Sequence, residues 1–211
     1  MSMDIEILYE DKNLIFAVKP VGVLSQKGDG ENMIDLLSQG RGEVFPIHRL
    51  DTAVGGVMVF AKTSQAAAKL SALVSRNEME KQYLAVLQGT PEKESDTLVD
   101  LLFKDSRKNK SFVVSRERKG VKKASLEYDL IKAEQDLSLV KVKLHTGRTH
   151  QIRVQFASRK LPLLGDGKYG SKCNKCSVAL WSHSLSFVHP FTNERLSFSA
   201  NPPDSFPWNK F

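Results

Sequence analysis

Residues 48–61 read His48-Arg49-Leu50-Asp51-Thr52-Ala53-Val54-Gly55-Gly56-Val57-Met58-Val59-Phe60-Ala61. The second half of this stretch, from Gly56 to Ala61, is short and almost wholly apolar, which predicts an interior strand covered on both faces. The first half places an acidic side chain beside a basic one, just before that strand. Because desolvation raises the pKa of a carboxyl group, Asp51 needs a nearby positive charge to stay ionised. An aspartate held charged in a cleft is a candidate nucleophile.

A second cluster of polar and basic residues lies about a hundred residues downstream, at Gly147-Arg148-Thr149-His150-Gln151-Ile152-Arg153. An arginine supplied from elsewhere in the fold keeps a carboxylate ionised through a charge-assisted hydrogen bond. Thr149 is expected to cap a short helix that carries Ile152 and Phe156 on one side. The two segments together are the strongest functional signal in the chain.

The rest of the pattern predicts an α+β fold. Short apolar or alternating segments predict strands near the N-terminus, at residues 82–87 and in the pair 126–130 and 140–144. Helical spacing predicts a short helix around residues 33–37 and a longer one after a cap at Thr63 or Ser64. Since strands outnumber helices and many neighbours in sequence look like hairpins, we expect a mixed, largely antiparallel central sheet flanked by helices. No linker or repeat is visible, so we expect one domain over residues 1–211.

The positive charge is concentrated in one segment. The chain has 211 residues and a formal net charge of +7, and residues 104–123 carry nine lysines and arginines against two acids. The rest of the chain is therefore neutral, and a local basic patch suits a polyanion such as nucleic acid. The alternative for this segment is a solvated hairpin or loop.

Membrane, secretion and metal signals are weak. No apolar run has the length of a membrane span and no signal-peptide pattern opens the chain, so a cytoplasmic protein is expected. Cys173 and Cys176 form a C-x-x-C pair that is followed in sequence by His183 and His189. This spacing is tighter than that of zinc fingers and no catalytic metal motif accompanies it. We therefore expect two reduced thiols rather than a metal site.

Several segments resemble, in order, the motifs of the RluA-type pseudouridine synthases. The stretch 48–56 followed by residues 60–62 is similar to the family's aspartate motif, and residues 81–83 are similar to its tyrosine motif. Residues 147–154 match its arginine motif, and Leu164-Gly165-Asp166 with Tyr169 match the segment that follows. The start of the chain, from Asp11 to Gly22, fits as well, so the likeness covers nearly the whole sequence.

The resemblance implies the pseudouridine synthase catalytic fold, with an active-site cleft across the sheet. No small RNA-binding domain of the kind that precedes some relatives is visible at the N-terminus, so no accessory domain is expected. It also implies an enzyme that isomerises specific uridines of ribosomal or transfer RNA. The reaction breaks the N-glycosidic bond, rotates the uracil and rejoins it through C5, with no redox step or hydrolytic water. No cofactor and no metal are therefore expected, RNA is the expected partner, and a monomer is the default.

The resemblance assigns roles to single residues. Asp51 is the expected nucleophile, and attack at C6 of the base or at C1′ of the sugar both remain open. Arg153 is expected to pair with Asp51, and Tyr83 to stack on the displaced uracil and help remove the C5 proton. The residues expected to contact substrate or RNA are His48, Arg49, Arg148, Leu164, Lys104, Arg107, Lys108 and Lys110.

The same side chains also fit simpler, structural roles. Asp51 also fits one half of a structural ion pair with Arg153, and Tyr83 also fits a plain core tyrosine on a strand. His48 and His150 fit hydrogen-bonded scaffold residues better than acid–base catalysts, because no serine or cysteine nucleophile pattern accompanies them.

Two positions depart from the family pattern, and two other functions stay open. Gly55 stands where many members have serine, which we expect to loosen a turn, and Trp181-Ser182-His183 replaces a common Leu-His-Ala triplet. An RNA-binding protein without catalysis is disfavoured because the aspartate, tyrosine and arginine are all present. A nucleoside or glycoside hydrolase ranks last, because such enzymes generally use two carboxylates and the motif segments offer one.

Overall fold

The structure is a computed structural model that describes residues 3–211. The chain divides into two compact units. Unit 1 consists of Met1–Lys81, described from residue 3, and Trp181–Pro202, while unit 2 consists of Gln82–Leu180 and Pro203–Phe211. Over the described range, no helix has both the length and the apolar character that a membrane span requires.

Strands predominate in both units. The α-helices of residues 3–211 are α1 (Met33–Ser38), α2 (Ser64–Ser75) and α3 (Gln151–Ala157). The strands of the same range are β1 (Ile7–Glu10), β2 (Leu14–Lys19), β3 (Phe45–Pro46), β4 (Gly55–Ala61), β5 (Glu80–Gln88), β6 (Ser95–Asp105), β7 (Lys110–Val114), β8 (Val121–Glu134), β9 (Leu137–Leu144), β10 (Leu180–Val188) and β11 (Arg195–Ser199).

Unit 1 is organised around β4, all of whose residues are buried. β4 pairs antiparallel with β2 and β3 and parallel with β10, and β1 and β11 extend the sheet as antiparallel neighbours of β2 and β10. Phe16, Leu70 and Leu185 belong to the apolar core that packs on this sheet. The prediction of an interior strand at residues 56–61 is confirmed.

The helices of unit 1 also follow the sequence pattern. Thr63 caps α2, because its Oγ1 accepts a hydrogen bond of 3.1 Å from the amide of Ala66. Ala66 and Leu70 are buried, and Leu73 and Val74 pack against the same core. The helix predicted around residues 33–37 is α1. Both helix predictions are confirmed. They could be made from the sequence because a cap and a helical apolar stripe depend on neighbours within a few residues.

Unit 2 contains the strands β5, β9, β8, β6 and β7, which neighbour one another in that order. The pairs β9–β8, β8–β6 and β6–β7 are antiparallel, so the prediction of a mixed, largely antiparallel fold is confirmed. The basic residues 104–123 lie on the β6–β7 hairpin, the loop after it and the start of β8. The role of this segment in contact with RNA stays a prediction.

The start of α3 differs from the prediction. The residue before the helix is His150, in the left-handed conformation with φ +54°, and it makes no side-chain cap. Thr149 as the cap is therefore wrong, since a capping side chain needs an extended residue next to the first turn. The side chain of Gln151 holds the turn instead, because its Oε1 accepts hydrogen bonds from Thr146 Oγ1 at 2.8 Å and from the Arg148 amide at 3.0 Å.

Candidate active site

Asp51 lies on a turn of unit 1 that enters β4, and its side chain is half-buried. The residue before it is held by Ser25, whose Oγ donates to the Leu50 carbonyl at 2.8 Å and accepts from the Leu50 amide at 3.0 Å. The carbonyl of Asp51 itself accepts from the Val54 amide at 2.9 Å. The backbone of the predicted nucleophile is therefore fixed by hydrogen bonds close to it on both sides.

Lys19 holds the other side of this turn. Its fully buried side chain directs Nζ at the carbonyl oxygens of Pro20, Val23 and Thr52, at 2.9, 2.6 and 3.3 Å. Burial lowers the pKa of Lys19 to about 8, and the negative charge of Asp51 acts in the opposite direction. The ammonium therefore stays largely charged at neutral pH. It is a cation within unit 1 that interacts electrostatically with Asp51.

His48 is a neutral scaffold residue at ordinary pH. Its Nε2 accepts a hydrogen bond of 3.2 Å from the amide of Val59, which is a strand residue of β4. Burial, and secondly the positive charge of Lys81, lower the pKa of His48 to about 3. It therefore brings no positive charge to phosphate at neutral pH, and its expected contact with substrate stays a prediction. The next residue, Arg49, is exposed.

The two departures from the family pattern meet in unit 1. Gly55 is the partner of Trp181 in the parallel pairing of β4 with β10. A Cβ at Gly55 would overlap the ring of Trp181, whose Nε1 donates to the Ala200 carbonyl at 2.9 Å. The expectation of a loosened turn is wrong, because Gly55 is the first residue of a buried strand and makes room for an indole.

Arg153 lies on α3 in unit 2 and is held by a buried carboxylate. Its Nε and Nη2 donate to the two oxygens of Asp166 at 2.7 and 2.8 Å. The side chains of the pair are 8% and 1% exposed, so both charges are removed from water. Asp166 is in turn held by the turn that follows it, since its carbonyl accepts from the amides of Tyr169 and Ser171. A bidentate pair fixes the plane of the guanidinium.

Tyr169 joins three elements of unit 2 around Arg153. Its Oη accepts from the Ser111 amide of β7 at 2.8 Å and lies 2.9 Å from Nδ1 of His150. The guanidinium carbon of Arg153 lies 5.2 Å and the ammonium of Lys110 4.9 Å from the centre of its ring. Both separations are within the range of cation–π attraction.

Tyr83 and Leu164 are nearly buried in unit 2. Tyr83 lies on β5 and is 7% exposed. Leu164 packs with Val86 and Ala179, and its amide and carbonyl pair with the backbone of those same two residues at 2.8 Å each. Both side chains therefore stand on rigid backbone, which the role of a base-contacting residue requires.

The predicted RNA contacts of the basic hairpin are on the surface of unit 2. Lys104, Arg107 and Lys108 are exposed and Lys110 is half-buried. Arg148 is also exposed, and its Nε donates to the carbonyl of Lys123 at 3.1 Å, which ties the arginine motif to the basic start of β8. Asp51, His48 and Arg49 thus lie together in unit 1, and the other predicted site residues lie in unit 2. The pairing of Asp51 with Arg153 stays a prediction.

The two cysteines and the two histidines that follow them in sequence belong to different units. Cys173 and Cys176 are free thiols in unit 2, and burial, with the neighbouring Cys173, raises the pKa of Cys176 to about 11. His183 and His189 belong to unit 1, where His189 lies 3.1 Å from Asp11. Over residues 3–211, no group of three or more His, Cys, Asp and Glu side chains is arranged to hold a metal ion.

Sequence reasoning missed three of the residues that hold the site. Asp166 stood inside a matched motif but received no role. Lys19 ends a predicted strand, and this position does not reveal that its ammonium is buried, because lysines usually keep that group in water. Ser25 carries no local signal, because its partner Leu50 is 25 residues away.

Comparison with known proteins identifies the family of the chain. The family model described as RNA pseudouridylate synthase matches residues 13–158. The tRNA pseudouridine synthase C of Vibrio parahaemolyticus is 31% identical over 97% of this chain and 93% of its own length. The ribosomal large subunit pseudouridine synthase D of Zymomonas mobilis is 30% identical over 94% of this chain and 69% of its own length.

A solved structure has the same fold. Human RNA Pseudouridylate Synthase Domain Containing 1 superimposes with a TM-score of 0.82 at 22% identity, over 97% of this chain and 85% of that one.

An uncharacterised RNA pseudouridine synthase of Aquifex aeolicus is 33% identical over 97% of this chain and 72% of its own length. The chain belongs to the RNA pseudouridylate synthase family and is an isomerase, so the resemblance found in the sequence is confirmed.

Proposed function

We propose that this chain isomerises uridine to pseudouridine in ribosomal or transfer RNA, with Asp51, Tyr83 and Arg153 as the catalytic residues. The family supplies the reaction, and the names of two relatives supply the RNA classes. The observation that carries the assignment of Asp51 is the turn on which it stands. Hydrogen bonds to Leu50 and Thr52 hold the backbone on both sides of it, as a positioned nucleophile requires.

The reaction places definite demands on these residues. The bond between N1 of uracil and C1′ of ribose breaks, and the base rotates before a bond forms between C5 and C1′. The proton on C5 is lost, and N1 gains a proton. Asp51 is the nucleophile that starts this sequence, at C6 or at C1′, and no redox step or metal ion is needed.

Arg153 and Tyr83 act beside the nucleophile in this proposal. The bidentate pair with Asp166 leaves the guanidinium of Arg153 in one orientation, which supports its assignment as the cation that keeps Asp51 ionised. The ring of Tyr83 stacks on the displaced uracil, and its hydroxyl is the group assigned to the C5 proton. Leu164 forms an apolar contact beneath the base.

The target uridine must leave its stack to reach these groups, at a cost of a few kcal/mol. Arg49 is exposed and lies two residues before Asp51 in the sequence. In this proposal its side chain enters the RNA stack and fills the space that the flipped base leaves. His48, as a neutral imidazole, offers a hydrogen bond rather than a charge. Contacts of Arg148 and of the hairpin lysines with phosphate offset the cost of flipping.

The proposal also covers the partner, the cofactor requirement, the compartment and the oligomeric state of the enzyme. RNA is the partner, no cofactor is used, and the cytoplasm is the compartment, because two free thiols suit a reducing environment. We keep the prediction that residues 1–211 act as one catalytic domain, as a monomer. Light scattering on the protein as it elutes from a size-exclusion column gives its molar mass, which tests the prediction of a monomer.

Tritium release tests the function. Ribosomal and transfer RNA transcripts carrying tritium at uridine C5 are mixed with the protein, and tritium in water is counted. Release in step with pseudouridine formation is the expected result. Binding without release contradicts catalysis and shows an RNA-binding protein, and free uracil in the product shows a hydrolase.

A further inference from the structure

Two basic segments of unit 2 are joined through their main chains. We call residues 104–110 the hairpin tip and residues 167–175 the basic loop. Lys110 of the hairpin tip donates from Nζ to the carbonyl of Lys168 at 2.6 Å. Lys168 of the basic loop donates from Nζ to the carbonyl of Asn109 at 3.1 Å. The two contacts run in opposite directions, so the segments lie side by side as one surface.

This surface is strongly positive. The hairpin tip and the basic loop together carry seven lysines and arginines and a single acid, Asp105. Oδ1 of Asp105 accepts the amides of Arg107 and Lys108, at 2.9 and 3.1 Å, which commits this carboxylate to the turn. Lys168, Lys172 and Lys175 are all exposed. A polyanion is the ligand that such a surface attracts.

The surface is also close to the arginine of the site. Tyr169 lies within the basic loop, and its ring has Arg153 at 5.2 Å and Lys110 at 4.9 Å. A phosphate bound between the two segments is therefore held near Arg153. The rise between nucleotides is short, so this phosphate belongs to a nucleotide near the one being modified.

We propose that the hairpin tip and the basic loop form one binding surface for the RNA phosphates that flank the target uridine. The inference rests on the proposed function, and it adds Lys168, Lys172 and Lys175 to the RNA contacts expected from the sequence. Each lysine that neutralises a phosphate contributes to the salt dependence of binding. The slope of log K against log salt changes by about 0.7 to 0.9 for each such contact.

The experiment compares two triple variants of the full chain that remove the same charge. One is K168Q/K172Q/K175Q, and the matched control is K93Q/K132Q/K160Q, three exposed lysines of unit 2 outside this surface. The equilibrium constant for a transfer RNA transcript is measured at several salt concentrations. We expect the first variant to flatten the slope by about 2 and to weaken binding at least tenfold, while the control stays at the wild-type slope.

Equal slopes for the two triple variants overturn the inference. Tritium release by the wild-type protein is measured on the same transcript, so that failure of the proposed function is seen separately. A hairpin double variant, R107Q/K108Q, shows whether the hairpin tip binds phosphate. If only this double variant flattens the slope, the proposed function stands and the role of the basic loop is wrong.

An independent observation concerns Ser25 in unit 1. Its buried hydroxyl makes two hydrogen bonds to the backbone of Leu50, the residue before Asp51. The residue after Asp51 is held by the amide of Gly22, which donates to the Thr52 carbonyl at 2.8 Å. Because the amide and the carbonyl of Leu50 belong to the two peptide groups that flank its Cα, the hydroxyl restrains both of them, and the second one leads into Asp51.

We infer that Ser25 is a positioning residue for Asp51, acting through the backbone of Leu50 and not by touching substrate. Removing the hydroxyl frees the turn, and small displacements of a nucleophile lower the rate of the chemical step more than substrate binding. The split between kcat and KM therefore separates positioning from a purely structural role.

The test compares Ser25→Ala with Ser182→Ala, whose buried hydroxyl donates to the Val57 carbonyl at 2.9 Å in the same unit. We expect S25A to lower kcat for tritium release at least about tenfold with little change in KM. S182A loses a similar buried hydrogen bond and keeps kcat, and Ser25→Thr, which retains a hydroxyl, recovers much of the lost rate. Equal losses of kcat in S25A and S182A, or no recovery in S25T, overturn the assignment.

Discussion

The turn that carries Asp51 and the helix that carries Arg153 are held in different ways. Around Asp51 the contacts go to the main chain, from Ser25 to Leu50 and from Lys19 to Thr52. Around Arg153 the decisive contact joins two side chains, with Asp166 taking both nitrogens of the guanidinium fork. The first arrangement positions the backbone of the predicted nucleophile. The second positions the charged group itself.

This difference teaches which substitutions each region tolerates. A main-chain anchor does not run through the anchored side chain, so the hydrogen bonds from Ser25 to Leu50 and from Lys19 to Thr52 do not use the Asp51 carboxylate as a partner. A side-chain anchor fails when either partner changes, because a buried charge is left without its counter-charge.

Breaking the buried pair has the largest expected effect on stability. In Asp166→Asn, Arg153 keeps its charge and loses the carboxylate that balances it, so the free energy of unfolding falls by about 3 kcal/mol or more. Tritium release falls with it, because the guanidinium is no longer held. Urea unfolding measures the first effect. Asp96→Asn removes an exposed partner, that of Lys93, and is the control with little expected change. A similar loss in both variants would contradict the contrast between the regions.

Gly55→Ser tests the packing behind the nucleophile turn. The new side chain overlaps the indole of Trp181, and overpacking of a buried strand costs about 1–3 kcal/mol. The double variant G55S/W181L removes the overlap and is expected to recover part of the loss, measured by urea unfolding. Gly147→Ser, where a Cβ meets nothing within 4 Å, is the control. If G55S alone is as stable as the wild-type protein, Trp181 does not exclude a side chain at position 55.

His48 predicts a smaller effect that depends on pH. The pKa of His48 is about 3 in the folded chain against 6.5 for an unperturbed histidine. The unfolded chain therefore binds a proton that the folded chain does not, and the free energy of unfolding falls as the pH drops from 6.5 towards 3. Replacing His48 with Gln removes up to about 1.4 kcal/mol per pH unit from this dependence. Unfolding at pH 7, 6 and 5 measures this dependence for the wild-type protein and for H48Q. Parallel curves for the two proteins would show that His48 titrates normally.

The local elements of the fold were predictable from the sequence. The buried strand at Gly56–Ala61 and the Thr63 cap follow from patterns within a few residues. The strand β6 was missed because burial along it is irregular, with only Leu98 and Leu102 fully covered on a strand that ends in charged residues. The Thr149 cap was wrong because His150 adopts a left-handed conformation that places no capping side chain at the helix.

The site was predictable in its motifs and not in its supports. Asp51 and Arg153 stand in segments whose residue types and order identify the family. Asp166, Lys19 and Ser25 hold these segments through contacts that form only when distant parts of the chain fold together. A pairing between residues 13 or 25 positions apart has no periodicity that a sequence pattern reveals.

The central claim is that Asp51 is the nucleophile, and Asp51→Asn tests it most directly. The substitution keeps the shape of the side chain, and the hydrogen bonds from Ser25 and Lys19 go to the main chain of the neighbouring residues Leu50 and Thr52. We predict that tritium release from uridine C5 falls by more than about a thousandfold, while RNA affinity changes by no more than about threefold. Release by D51N at a rate near that of the wild-type protein would contradict the account.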